Sequence, residues 1–227
     1  MRFQQPPPGV RRDYLHLTNF FNVLASQGLQ IVEGHGPLNV GDSAGLIKPS
    51  IILTTAATQK NVEASGILFD RFRRALKYMQ IGGHERAASV FSELSLNAAE
   101  HSHSPNGAFV MLQAYPNTQS IEIAVADVGR GIRAALGDER YPSDADAITA
   151  ALQEEVTGRR DAGGNLAEGG YGLPTVAEES DVLEIRSGRA RLKSDGSRNE
   201  RGELILSPRE VPHLDGTLVA ATISTRG

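Results

Sequence analysis

"ELSLNAAEHS", residues 93–102, interrupts the apolar stripe of a helix with Glu93, Asn97 and His101 at intervals of four residues. The longer run HERAASVFSELSLNAAEH spaces Ala87, Val90, Phe91, Leu94 and Ala98 as one helical face that should dock on a core. Side chains at i and i+4 stack above one another, so Glu93, Asn97 and His101 form a half-buried polar seam along one edge of that face. A carboxylate and an amide are costly to bury unless something satisfies them. Taken alone, the seam is either the solvated flank of an amphipathic helix or a wall facing a ligand, and the rest of the chain has to decide.

The 227 residues, 40% of them hydrophobic, supply a core for one generous domain or for a domain with an appendage. Lys and Arg number 23 against 27 Asp and Glu, and the net charge of -4 offers no broad basic field to nucleic acid or an anionic membrane. The absence of cysteine excludes disulfides, thiolate catalysis and Cys-based zinc sites and is compatible with a reducing compartment. MRFQQPPPGVRRD lacks the apolar core of a signal peptide, and no stretch approaches the ~20 apolar residues of a membrane span, so a soluble, cytoplasmic protein is expected.

Consecutive prolines make QQPPPG an extended tail, with structure expected to start after it. RRDYLHLTNFFNVLASQG spaces Leu17, Phe20, Phe21 and Leu24 as a helical stripe closed by Gly28, and a connection bearing Gly and Pro runs on through Lys48. Residues 1–50 are thus read as an N-terminal extension with one amphipathic helix, suited to dimerisation, partner docking or simple packing, and residues 51–227 as the main domain. In the latter, SIILTT reads as a buried strand and NVEASGILFDRFRRALKYMQ as a helix turning Phe69, Phe72, Leu76 and Met79 inward. After the seam helix, GAFVMLQAY and SIEIAVAD form a hairpin about PNTQ. DVLEIRS and RARLKS meet at a turn on Gly188, DGSRNERG forms a polar loop, and the strands ELILS and GTLVAATIST follow. Helices ahead of antiparallel strands, without regular βαβ alternation, predict an α+β fold: a two-layer sandwich with a mixed, mostly antiparallel sheet and helices on one face.

Three glycine-bearing loops interrupt these elements. VADVGRGI ends a strand in Asp127 and continues through Gly129 and Gly131, fixing a carboxylate where the backbone beyond can approach a flat ligand, although an ordinary Asp-Gly turn reads the same way. EGGYGLPTVAEES sets Gly169, Gly170 and Gly172 before a helix with Pro174 in its first turn. Amides at such a start attract anions, but the segment lacks the Gly-Lys-Ser/Thr of a P-loop. Between them lie a capped helix, SDADAITAALQEEV, and TGRRDAGGNLAEGGYG, either a surface loop or a lid that brings Arg159 and Arg160 to a phosphate.

In order, these pieces resemble the GHKL superfamily (gyrase, heat-shock chaperone, histidine kinase, MutL) and its Bergerat-fold ATP-binding unit. ELSLNAAEHS resembles the N box, DVGRGI the first glycine box, GGYGLPTV the second, and DGTLVAATI the terminal Gly-Thr strand, across roughly residues 51–227. The resemblance implies ATP and Mg2+ as ligands, with Asn97 holding the metal, Asp127 reading the adenine amine, and Gly129, Gly131 and Ile132 passing the base. Thr217 would support the adenine end, and Gly169, Gly170, Gly172 and Leu173 would lie about the phosphates. Glu93 matches the general base of the ATPases and of the serine-kinase branch. His101 would brace the N-box helix or lie near the phosphates; as a metal pair with His103 it fails, because alternate residues do not share a helix face.

No upstream helix resembles the phosphoacceptor motif of histidine kinases, since His84-Glu85 lacks the later proline, and a transducer domain of the gyrase type is not expected. What remains is similar to anti-sigma-factor serine kinases and stand-alone bacterial ATP-binding regulators, which act on small STAS-like or sigma-type partners. The alternatives are a slow ATPase or ATP-gated binding module, a histidine kinase-like ATPase domain with a separate phosphoacceptor, and a scaffold that has lost its nucleotide.

Overall fold

In the computed structural model the described residues are 82–104, 108–115, 118–153 and 172–225, the short segments 2–4, 30–32 and 53–54, and the helical positions Asp70, Arg73, Arg74 and Lys77. The seam helix is α1, His84–His101, and its buried residues are Ala87, Val90, Phe91, Leu94 and Ala98, the face that the spacing predicts. Asp70, Arg73, Arg74 and Lys77 are exposed helical positions within the preceding predicted helix, whose inward residues lie outside the described set.

The chain separates into two compact units, Met1–Ile51 and Ile52–Gly227. In the first, β1 (Arg2–Gln4) pairs in parallel with β2 (Gln30–Val32). Structure therefore begins before the prolines rather than after them, and part of the predicted connection is a strand. Each strand has only three residues, too few for alternation to show, and long-range pairing has no local signature. The helix expected over residues 11–28 lies outside the described residues.

The second unit carries a five-stranded sheet in the order β3-β4-β5-β7-β6, built from β3 (Leu53–Thr54), β4 (Ala108–Tyr115), β5 (Ser120–Asp127), β6 (Val182–Arg198) and β7 (Leu204–Ser224). Every pairing in it is antiparallel. Directly paired residues share a face, so Leu112, Ile123, Ala221 and Leu183 form one buried row and Val110, Val125, Val219 and Ile185 the next. A fully buried Leu or Ile contributes about 1.5–3 kcal/mol of hydrophobic stabilisation. The following row changes character: Ala108, Asp127, Thr217 and Ser187.

Among the described residues, the α-helices with full bounds that lie with this sheet are α1, α2 (Gly131–Leu136), α3 (Asp144–Ala151) and α4 (Gly172–Glu179). Helix α1 packs on β4, β5 and β7, α2 on β6 and β7, α3 on β6, and α4 on β7 and α1, giving the expected α+β sandwich. Helix α2 starts directly at Gly131, where the sequence suggested only an open loop. Ser143 caps α3, accepting a hydrogen bond from the Asp146 amide at 3.2 Å. Its buried Ala147, Ile148 and Ala151 anchor it, so this helix belongs to the packed structure and not to a moving lid.

Gly188 is a correction. No turn forms there: β6 runs through it with φ +57°, and its register shifts from Ser187↔Thr217 to Gly188↔Leu214. The bulge moves the buried parity from Leu183, Ile185 and Ser187 to Ala190, Leu192 and Ser194. Likewise DGSR belongs to β6, and the two predicted final strands are one, β7. Pro208 and Pro212 are tolerated in β7 because the β5 pairing spans only Thr217–Ser224, leaving one edge there without need of ladder donors.

Candidate functional site

Helix α4 lies antiparallel along α1 and is fixed at both ends. Arg86, near the start of α1, donates to the Glu179 carbonyl at 2.6 Å and pairs with Asp181 at 3.0 Å, and Asp181 accepts from the Ser224 amide at 2.6 Å. At the other end, the start of α4 presses on the seam. A Cβ placed on Gly172 would meet Asn97 Nδ2 at 2.9 Å, Glu93 Oε2 at 3.0 Å and Asn97 Oδ1 at 3.1 Å. Glycine there leaves the ends of the Asn97 and Glu93 side chains undisplaced, in a helix whose first turn also holds half-buried Leu173.

Glu93, Asn97 and His101 are all half-buried, as the seam predicts. Asn97 Nδ2 is buried and has no hydrogen-bond partner. An amide donor left unpaired costs free energy that a ligand can return. The oxygens of Glu93 and Asn97 are hard donors of the kind magnesium takes. Among the described residues no three His, Cys, Asp or Glu side chains cluster about a metal.

The loop after Asp127 meets the far end of the same helix. Arg130 donates its backbone N–H to the Ser102 carbonyl at 2.8 Å and its Nε to the His101 carbonyl at 2.9 Å. Gly129 approaches the Ser102 backbone so closely that no Cβ fits between them. The two glycine-bearing segments therefore touch α1 at Asn97 and at Ser102, about 7.5 Å apart along the helix axis.

Asp127 is 8% exposed, and Oδ1 accepts from the Gly129 amide at 2.8 Å. Burial pushes its carboxyl above the ordinary carboxylate value, partly opposed by the backbone N–H groups of Gly129 and Thr217. Thr217 stands opposite it on β7. Gly216, with φ +92°, passes against the Asp127 carbonyl where a side chain would collide. Gly131 has φ +76° and abuts Ser187, whose hydroxyl accepts from the Ile132 amide at 2.9 Å and donates to the Gly216 carbonyl at 3.0 Å.

The structure thus gathers Glu93, Asn97, Gly172 and Leu173 at one end of the seam, and His101, Asp127, Gly129, Gly131, Ile132 and Thr217 toward the other. Arg159, Arg160, Gly169 and Gly170 lie outside the described residues. Sequence reading missed Ser102 and Ser187; the one local hint was a serine on the buried parity of Leu183 and Ile185.

No protein-family model matches the chain. No curated protein matches it either. Among solved structures it is similar to the topoisomerase IV ATP-binding domain of Francisella tularensis in complex with a small-molecule inhibitor, at 13% identity and a TM-score of 0.36, with 77% of this chain and 42% of that chain covered. The chain accordingly spans less than half the length of that structure.

Proposed function

We propose that the second unit is a GHKL-type Mg-ATP-binding domain and that it phosphorylates Ser or Thr on a small regulatory partner, of the STAS-like or sigma-type class, in the cytoplasm. The observation that carries the reading is the buried, unpartnered Asn97 amide beside Glu93, faced by a helix start whose Gly172 leaves both side chains undisplaced. Amides at the start of α4 favour phosphate oxygens, and Asp127, held at the sheet's end, is a hydrogen-bond acceptor for an exocyclic amine.

In this reading Asn97 Oδ1 would hold the metal, and His101 braces the N-box helix, where its carbonyl accepts from Arg130 Nε. When bound, magnesium would neutralise phosphate charge. Glu93 takes the proton of the partner hydroxyl as its oxygen bonds to the γ-phosphorus, while the bond to the β,γ-bridging oxygen breaks and its electron pair leaves with ADP. Arg159 and Arg160 are the guanidinium groups proposed to pair with phosphate oxygens, and Gly169 and Gly170 belong to the proposed phosphate-binding set. The N-terminal extension is proposed to serve homodimerisation, docking of the partner or simple packing. Among the described residues, no helix is long and apolar enough to cross a membrane.

Calorimetric titration with ATP, ADP and GTP, with and without magnesium, tests the first step; the expected result is magnesium-dependent binding that prefers adenine. No heat with Mg-ATP would overturn the proposal. With γ-labelled ATP, label should pass to a regulatory partner, whereas free phosphate with an unlabelled partner would make the protein an ATPase.

A further inference from the structure

We propose that Ser187 is a positioning residue for the purine end of the site, holding the first glycine loop and the Gly216–Thr217 segment in register with Asp127. The inference rests on the nucleotide-binding reading above and adds a residue which that reading does not use.

Ser187 is 2% exposed and occupies the polar row beside Thr217 and Asp127. A hydroxyl has one proton and two lone pairs. The Ile132 amide can only donate and the Gly216 carbonyl can only accept, so the proton is directed to Gly216 and one lone pair is taken by Ile132. The remaining lone pair faces Thr217 Oγ1 at 3.4 Å. A single side chain thereby joins three segments remote in sequence. Its partner Ile132 stands in the first turn of α2, directly after the loop whose Gly129 amide holds Asp127 Oδ1. Without the hydroxyl, two buried backbone groups lose that partner, and the loop and β7 lose their shared anchor.

A hydroxyl that only stabilised the core would weaken every nucleotide alike. A positioning residue at the purine end should act selectively on the base. The test compares ATP with ITP, which carries an oxo group in place of the 6-amine, by calorimetry on wild type, Ser187→Ala and Ser187→Cys, with thermal melts of each. Cysteine keeps the volume but is a weak hydrogen-bonding group, so it preserves a folded protein should alanine not. The expected result is a roughly tenfold loss of ATP affinity in both variants with less than about threefold loss for ITP. Equal losses for ATP and ITP, or a Ser187→Cys variant that keeps the wild-type ratio, would overturn the inference. Wild type that binds neither nucleotide would instead remove the function proposed above, and this inference with it.

Discussion

Gly172, at the start of α4, lies so close to Asn97 on α1 that a methyl group on its Cα would meet the Asn97 amide nitrogen at 2.9 Å. The atoms that it would displace are the ends of two side chains, Asn97 and Glu93, rather than backbone. The close approach is therefore a constraint on the seam more than on the fold.

Gly172→Ala separates the two. Alanine is favoured over glycine within helices by roughly 0.5–1 kcal/mol, so the melting temperature should hold or rise slightly. The displaced Asn97 and Glu93 should weaken Mg-ATP binding by roughly tenfold. Melting curves beside nucleotide titrations check it, and a variant that binds ATP as wild type does would show that the seam and α4 do not share a ligand.

Glu93→Ala should abolish turnover while leaving ATP affinity within about threefold of wild type, because a general base acts on the transferred proton and not on ground-state binding. Single-turnover assays with γ-labelled ATP, paired with direct binding, give the two numbers. Wild-type turnover in this variant would remove Glu93 from the chemistry.

Asp127→Asn should oppose function and stability. Burial raises the Asp127 pKa in the fold above its ordinary 3.8, so the folded protein holds that proton more tightly than the unfolded chain. The contribution favours folding below the unfolded value and is lost as pH rises through the folded one. Asparagine never ionises. The apo variant should therefore melt at or above the wild-type temperature near neutral pH, with the advantage fading as pH approaches the unfolded value. It presents a donor where an acceptor is required, so ATP affinity should fall by roughly tenfold or more. Melts across the pH range and calorimetry supply both readings.

Gly129→Ala and Gly216→Ala meet backbone, at Ser102 and Asp127 respectively, and Gly216 also has φ +92°. Neither contact can give way by rotating a side chain. Each should destabilise the protein by about 2–4 kcal/mol, measurable by urea unfolding. A wild-type midpoint for either would mean that the first glycine loop is not pinned between α1 and β7.

Local periodicity carried much of the fold. The buried face of α1, the β4–β5 hairpin and the Ser143 cap were legible because each depends on neighbours within a turn or a hairpin. The bulge at Gly188 was not, since a glycine between two alternating runs reads as a turn unless the partner strand is known. Strands β1 and β2 were hidden for a related reason, being short and paired with each other across the intervening chain.

At the site, the chain by itself determined which groups are available: a seam of Glu93, Asn97 and His101, a strand-end Asp127, and glycines where backbone must come close. Tertiary structure alone decided that Gly172 closes on Asn97, that Arg130 bonds to Ser102, and that Ser187 and Thr217 stand in one row with Asp127. The physical reason is range. Side-chain spacing along a helix or strand is fixed by backbone geometry within a few residues, whereas these contacts depend on how strands register and helices dock, which the burial of the whole core selects.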